Sequence, residues 1–166
     1  MEMVKLSSKI RKFFRGDQEV VVATCDEKGV PNASIKNAAA VDDETVIWEE
    51  IYFTKTYENV KKNPKVCLVG WDKSGPTLTP EGKKISRNEA YKLIGTATVY
   101  GEDHEKTKMW RKKIAEVHLK HGIDSIGIPP PAVDEHGNVR HALIEVHIEE
   151  IYDQTPGPSA GKRIAP

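Results

Sequence analysis

The sequence predicts a mainly β protein of the α+β kind, a six-stranded antiparallel Greek-key β-barrel with about three peripheral helices. Three observations carry this. β-Branched or alternating runs recur along the 166 residues, with turn-forming clusters between them. Helical periodicity occurs in only three places, and no helix regularly separates successive strands, which argues against a doubly wound parallel sheet. Hydrophobic residues make up 38% of the chain and charged ones 30%, a balance that supports one packed core.

The elements follow in order. Residues 6–14 read as a short helix, with Leu6, Ile10, Phe13 and Phe14 on one face, Ser7 or Ser8 as cap and Gly16-Asp17 as stop. The run VVVATC ends a strand over residues 19–25. Asp26-Glu27-Lys28-Gly29 turns the chain into a second strand over residues 31–41. Asp42-Asp43-Glu44 turns it again into a third over residues 45–53, completing a meander. Residues 54–63 change period, and Asn63-Pro64 stops this second helix. KVCLVGW, residues 65–71, is a fourth strand. Residues 72–86 hold Gly75, Pro76, Pro80 and Gly82, which fits a long loop or an irregular hairpin.

Residues 91–100, YKLIGTATVY, form a fifth strand whose interior Gly95 marks a bend or bulge. Residues 103–121 are the longest helix, with Trp110, Ile114, Val117 and His121 on one face. Residues 128–138, with three consecutive prolines, are a loop. Residues 139–152 close the barrel, Ala142, Ile144, Val146 and Ile148 alternating with His141, Leu143, Glu145 and His147. The barrel domain is thus assigned to residues 1–153. The Pro-, Gly- and Ser-rich residues 154–166 form a tail expected to be mobile unless a partner pins it.

Several functions are disfavoured at this level. With 25 basic and 25 acidic residues the formal charge is zero, so neither nucleic acid nor an anionic membrane is an expected partner. The basic cluster Lys108, Arg111, Lys112 and Lys113 around Trp110 reads as a solvated helix face. No apolar run approaches the ~20 residues that span a bilayer, and the first 15 residues lack an apolar signal core, which points to the cytoplasm. Cys25 and Cys67 sit in apolar runs as core thiols without a CxxC spacing. The pairs His118/His121 and His141/His147 lack a third ligand, so no metal site is expected. No GxGxxG or P-loop is present.

Two stretches remain. In WEEIYFTKTYENVKKNP a strand runs into a short helix with Thr54, Lys55 and Thr56 at the junction. Helix-start amides, hydroxyls and an ammonium make a phosphate seat. The same residues serve equally as an ordinary N-cap and a solvated face. In PNASIKN small and polar residues replace the β-branched ones of the strand before it. A flat ring could lie there with its edge on free amides, or the stretch could be a plain edge strand. Trp48 and Trp71 could stack on such a ring, or could equally be barrel core or dimer-interface anchors.

The segments VVVATCDEKGVPNASIKN, DDETVIW, FTKTYENVKKNPKVCL, YKLIGTATVYGE and ALIEVHIEEIY, in this order, resemble the pyridoxamine 5′-phosphate oxidase-like FMN-binding split barrels over roughly residues 5–153. The resemblance implies FMN held between two subunits of a homodimer. It also implies a redox partner or small-molecule substrate. Carried over by position, Ser34, Ile35 and Lys36 contact the cofactor from the second strand, and Glu49, Glu50, Tyr52 and Phe53 from the end of the third. Lys55 and Thr56, with Thr54 adjacent, hold its phosphate. The chain departs from the vitamin-making oxidases, because only Arg140 and His141 stand where their paired arginines and histidine would be. It is closer to the smaller FMN-binding proteins of the superfamily. Their reactions are often unassigned; the resemblance implies an FMN-dependent oxidoreductase of unassigned substrate, the alternative being a non-catalytic flavin-binding or electron-carrier module or a deazaflavin or heme binder. No catalytic acid or base stands out.

Overall fold

The structure is a computed structural model that describes residues 4–72, 76–78, 80–86, 89–121, 135–137 and 140–164. The side chains of residues 17, 76–78, 84–86 and 115–121 fall outside the description, as does most of the loop read over residues 128–138. The faces assigned to Val117, His118 and His121 therefore lie outside it too.

The elements are α1 (Ser8–Phe13), β1 (Arg15–Cys25), β2 (Pro31–Ala40), β3 (Thr45–Glu50), α2 (Lys55–Lys62), β4 (Lys65–Trp71), β5 (Pro76–Leu78), β6 (Lys84–Ser86), β7 (Ala90–Tyr100), α3 (Glu105–His121) and β8 (Ala142–Asp153). Six of the strands close into a barrel in the order β1-β2-β3-β8-β7-β4, every neighbour antiparallel. The short β5–β6 pair is a separate two-stranded antiparallel sheet.

Period-two burial builds the interior. Val20 and Val22 of β1, Val46 and Trp48 of β3, Val66 and Leu68 of β4, and Ile144, Val146 and Ile148 of β8 point inward. Leu6, Ile10 and Phe14 of the α1 region join the same core, and Ser7 caps α1 by accepting from the Ile10 amide at 3.3 Å. A second apolar cluster lies outside the wall. Ala39, Ile47 and Leu143 pack there against Tyr100 and Trp110, so α3 covers β2, β3 and β8. Leu143, read as an outward partner of the core series, is thus buried by the helix.

Three expectations change. Cys25 and Cys67 are free and only half-buried, on the outward-facing positions of β1 and β4 rather than in the barrel core. Burial still pushes the Cys67 thiol up, and Cys25 Sγ accepts from Asn63 Nδ2 at 3.0 Å. The tail is pinned by its own chain. Lys162 O accepts from the Asp153 amide, Ile151 O accepts from the Ile164 amide at 2.8 Å, and Ile164 packs on the core. β3 ends at Glu50, which leaves Tyr52 and Phe53 on the connection to α2 instead of on the strand.

Candidate cofactor groove

β2 pairs with β1 along residues 31–39 but meets β3 only at residues 38–40. Among the described residues, 31–37 therefore carry a row of backbone groups with no strand on the β3 side, and β3 continues through Glu49 and Glu50 paired only to β8. The wall is split here. In-plane backbone donors and acceptors at such an edge are available to a planar ligand or to another chain.

The split has polar walls. Lys36 lies with its side chain 10% exposed against Glu50, whose side chain is 0% exposed. Lys36 Nζ donates to Glu50 Oε1 at 2.8 Å and lies 2.8 Å from Oε2. Oε2 has no donor in hydrogen-bonding geometry, so the ion pair rests on one directed bond and close charge. Beside it, Glu49 is hydrogen-bonded to Nδ1 of His141, and the His141 amide donates to Glu102 Oε1 at 2.9 Å. The Arg140 guanidinium lies 3.9 Å from the Phe53 ring centroid. Phe53 has φ 50°, a left-handed conformation costly for a residue with a side chain, and its ring packs edge-on against Tyr57. That twist takes the chain off β3 and into α2.

At the far end of the groove Thr54 is the N-cap of α2, but its side chain makes no cap hydrogen bond. Among the described residues the first-turn amides thus have no side-chain cap. Lys55 points to a shallow cleft lined also by Asp26, Glu27, Lys28, Glu58, Asn59 and Lys62. Its ammonium is 3.6 Å from Asp26, whose carboxyl is held below its usual range chiefly by the Val30 amide. Thr56 turns inward and is 1% exposed. Its hydroxyl contacts Ser34 Oγ at 2.7 Å and accepts from Asn32 Nδ2 at 3.0 Å. Asn32 and Asn59 also donate to Thr24 Oγ1.

The structure thus brings Ser34 to Thr56 and Lys36 to Glu50, and sets Glu49, Phe53 and Lys55 along the same split. Ile35 faces outward at 67% exposure and Tyr52 is also exposed. Trp48 is core, its indole Nε1 buried without a partner. Sequence reasoning passed over Thr24, Asn32 and Asn59. Thr24 alone carries a signal, polarity at the next position of the buried series Val20 and Val22.

Among the described residues no group of three or more His, Cys, Asp or Glu is placed to hold a metal, and no described helix is long and apolar enough to cross a membrane. Vibrio cholerae HutZ, described as a heme storage protein, aligns with a TM-score of 0.56 and 16% identity over 93% of this chain and 97% of its own. HupZ of Group A Streptococcus aligns with a TM-score of 0.60 and 22% identity, covering 94% of this chain and all of the other. These likenesses show a shared fold. In sequence, the uncharacterized protein MJ0282 of Methanocaldococcus jannaschii is 28% identical over 166 residues, 98% of this chain and 90% of the relative. The family model described as pyridoxamine 5′-phosphate oxidase matches residues 6–155, nearly the whole length. The chain belongs to the pyridoxamine 5′-phosphate oxidase family.

Proposed function

We propose that this chain binds FMN along the split between β2 and β3 and works as a cytoplasmic, homodimeric FMN-dependent oxidoreductase. The observation that carries the reading is the open edge of residues 31–37, which leads to the uncapped start of α2 beside Lys55. A flavin ring offers donors and acceptors along one edge, which free strand backbone can match. A phosphate suits unpaired helix-start amides. When bound, FMN supplies hydride or electron transfer. The chain's own part is to seat the ring edge on β2, to set the buried Lys36–Glu50 pair beside it, and to hold the phosphate.

The phosphate seat has little surplus charge. Lys28, Lys55 and Lys62 are matched by Asp26, Glu27 and Glu58 around the cleft. Binding then depends on Lys55 and the amides rather than on a broad positive field. A charge-assisted hydrogen bond contributes roughly 1.5–3 kcal/mol. The Lys55 side chain is 54% exposed, so solvent screening puts the loss at the lower end. Lys55→Ala should weaken FMN about tenfold and leave riboflavin unchanged, as titration of both ligands would read. Equal losses would place Lys55 on the ring or in the fold. No loss would move the phosphate elsewhere.

A second reading has its own observation. With Nδ1 held by Glu49, His141 presents Nε2 as the ring nitrogen left for a ligand, and the HutZ relative is named for heme. The absorption spectrum of the purified protein separates flavin, deazaflavin and heme directly, and heme bands without flavin would overturn the FMN reading.

The homodimer reading rests on Ile35, Val30 and Tyr52, exposed at or near the open edge. Light scattering at micromolar concentration should give twice the chain mass. A monomer that still holds FMN tightly would sink it.

A further inference from the structure

We propose that Asn32, Thr56 and Ser34 form a polarised hydrogen-bond relay that presents the Ser34 hydroxyl proton to the ligand phosphate, with Asn32 as the positioning residue. This rests on the FMN reading and names how β2, not only α2, would grip the phosphate.

The argument is a count of protons. An asparagine amide nitrogen only donates, whereas a hydroxyl carries one proton and two acceptor sites. Asn32 Nδ2 spends its two protons on Thr24 Oγ1 at 3.2 Å and Thr56 Oγ1 at 3.0 Å. Asn59 Nδ2 reaches the same Thr24 oxygen at 3.1 Å, so two amides fill the acceptor sites of Thr24. Thr56 therefore receives a proton from the interior. Its own proton has one partner among the described residues, Ser34 Oγ at 2.7 Å.

Two hydrogen placements satisfy that distance. In one, Ser34 donates to Thr56. The Thr56 proton is then stranded in a site 1% exposed, with no acceptor. In the other, Thr56 donates to Ser34, and the spare proton belongs to Ser34. Ser34 is half-buried on the open stretch of β2, beside the start of α2. The second placement gives the Thr56 proton an acceptor, whereas the Thr24 proton is unaffected by the choice. This second placement runs Asn32 N–H to Thr56 O–H to Ser34 O–H to the groove, each bond polarising the next. A relay headed by a donor ends in a donor, which an anion requires.

Replacing the head of the chain should reverse it. Asn32→Asp is close to isosteric but can only accept. Thr56 would then donate inward, Ser34 would donate to Thr56, and the groove would meet Ser34 lone pairs. The added charge also repels phosphate, so the single variant does not decide. A double-mutant cycle with Ser34→Ala does, because the repulsion is present in both backgrounds and cancels. The readout is the ratio of FMN to riboflavin affinity, which a general loss of fold leaves unmoved.

Ser34→Ala should lower that ratio about tenfold, and Asn32→Asp by at least as much, on the scale of one hydrogen bond to a charged group. The double variant should fall no more than about threefold below Asn32→Asp alone. Ser34→Thr, which keeps the hydroxyl, should hold the wild-type ratio. If the two single effects multiply in the double variant, the relay is wrong and Asn32 acts by charge alone. If Asn32→Asp does not fold, Asn32→Leu removes the donor without adding charge. It should lower the ratio in the wild-type background and not in Ser34→Ala, and equal effects in both would overturn the relay. A wild-type protein that binds FMN and riboflavin equally would overturn the phosphate seat itself, a failure distinct from that of the relay.

Discussion

Lys36→Met should destabilise the folded chain by about 3–5 kcal/mol, the usual consequence of leaving one member of a buried ion pair alone. The Glu50 side chain is 0% exposed, and the Lys36 ammonium at 2.8 Å is its compensating charge. Its Oε2 already lacks a directed donor, so removal of Lys36 leaves the carboxylate with no hydrogen bond among the described residues. Methionine matches the lysine stem in length, so lost packing contributes little and the effect reports the charge. The second variant decides the interpretation. Lys36→Met with Glu50→Leu replaces both charges by apolar groups of similar volume and should recover most of the loss, because both desolvation costs vanish together. Urea melts of the two variants and the wild type read this directly. A single variant costing under about 1 kcal/mol would mean the pair is wetter than its burial implies. A double variant less stable than the single one would mean that the pair is net stabilising. The pair also bridges the split, where β2 and β3 no longer share backbone bonds. It costs desolvation at the one place where the sheet is open, which is easier to understand for a site than for a fold.

Most of the barrel was legible because each strand carries its own signal. VVVATC and KVCLVGW declare buried strands by composition, and β4 falls on residues 65–71 as its sequence says. The split was not legible. β2 and β3 each look complete in sequence, and nothing local announces that they pair only through residues 38–40 and 46–48. The parting follows from the turn at residues 51–54, where Phe53 adopts φ 50°. Phenylalanine gives no warning of that conformation, as glycine would. The tail was misjudged for a related reason. Its Pro, Gly and Ser content describes a chain without a core of its own, but Ile164, partly buried, packs against the core of the barrel. At the site, Lys36 and Glu50 were legible as residues but not as a pair, since the ion pair depends on how the split brings the two strands together. Thr56 was expected to face a phosphate. The structure turns it inward onto Ser34, because Asn32 and Ser34 of β2 supply polar partners at that height on the neighbouring wall.

Gly95→Ala should be among the most damaging single substitutions in the chain. A Cβ built there would stand 2.2 Å from His147 O, 2.8 Å from Val146 Cγ1 and 3.0 Å from the His147 carbonyl carbon. Two of the three are backbone atoms of β8, so no side-chain rotation relieves the clash. The register slips between Ile94 and Gly95, and that bulge brings the two backbones this close. β7 cannot retreat either. Gly95 is paired to Val66 of β4 on its other side, and the barrel is closed, so a shift in one wall is passed to its neighbours. Overpacking of a side chain usually costs 1–3 kcal/mol, and a backbone collision in a closed wall belongs at or beyond the top of that range, about 3 kcal/mol or more. For a chain of this length that corresponds to a fall in Tm of roughly 6–12 °C. Gly95→Val adds two methyl groups in the same place and should prevent folding. Thermal unfolding followed by circular dichroism tests both. An alanine variant melting within about 2 °C of wild type would mean that β8 yields at His147. β8 also carries Ala142 and Leu143, the partners of Glu50 and Glu49, so a folded alanine variant should show weaker FMN binding as well.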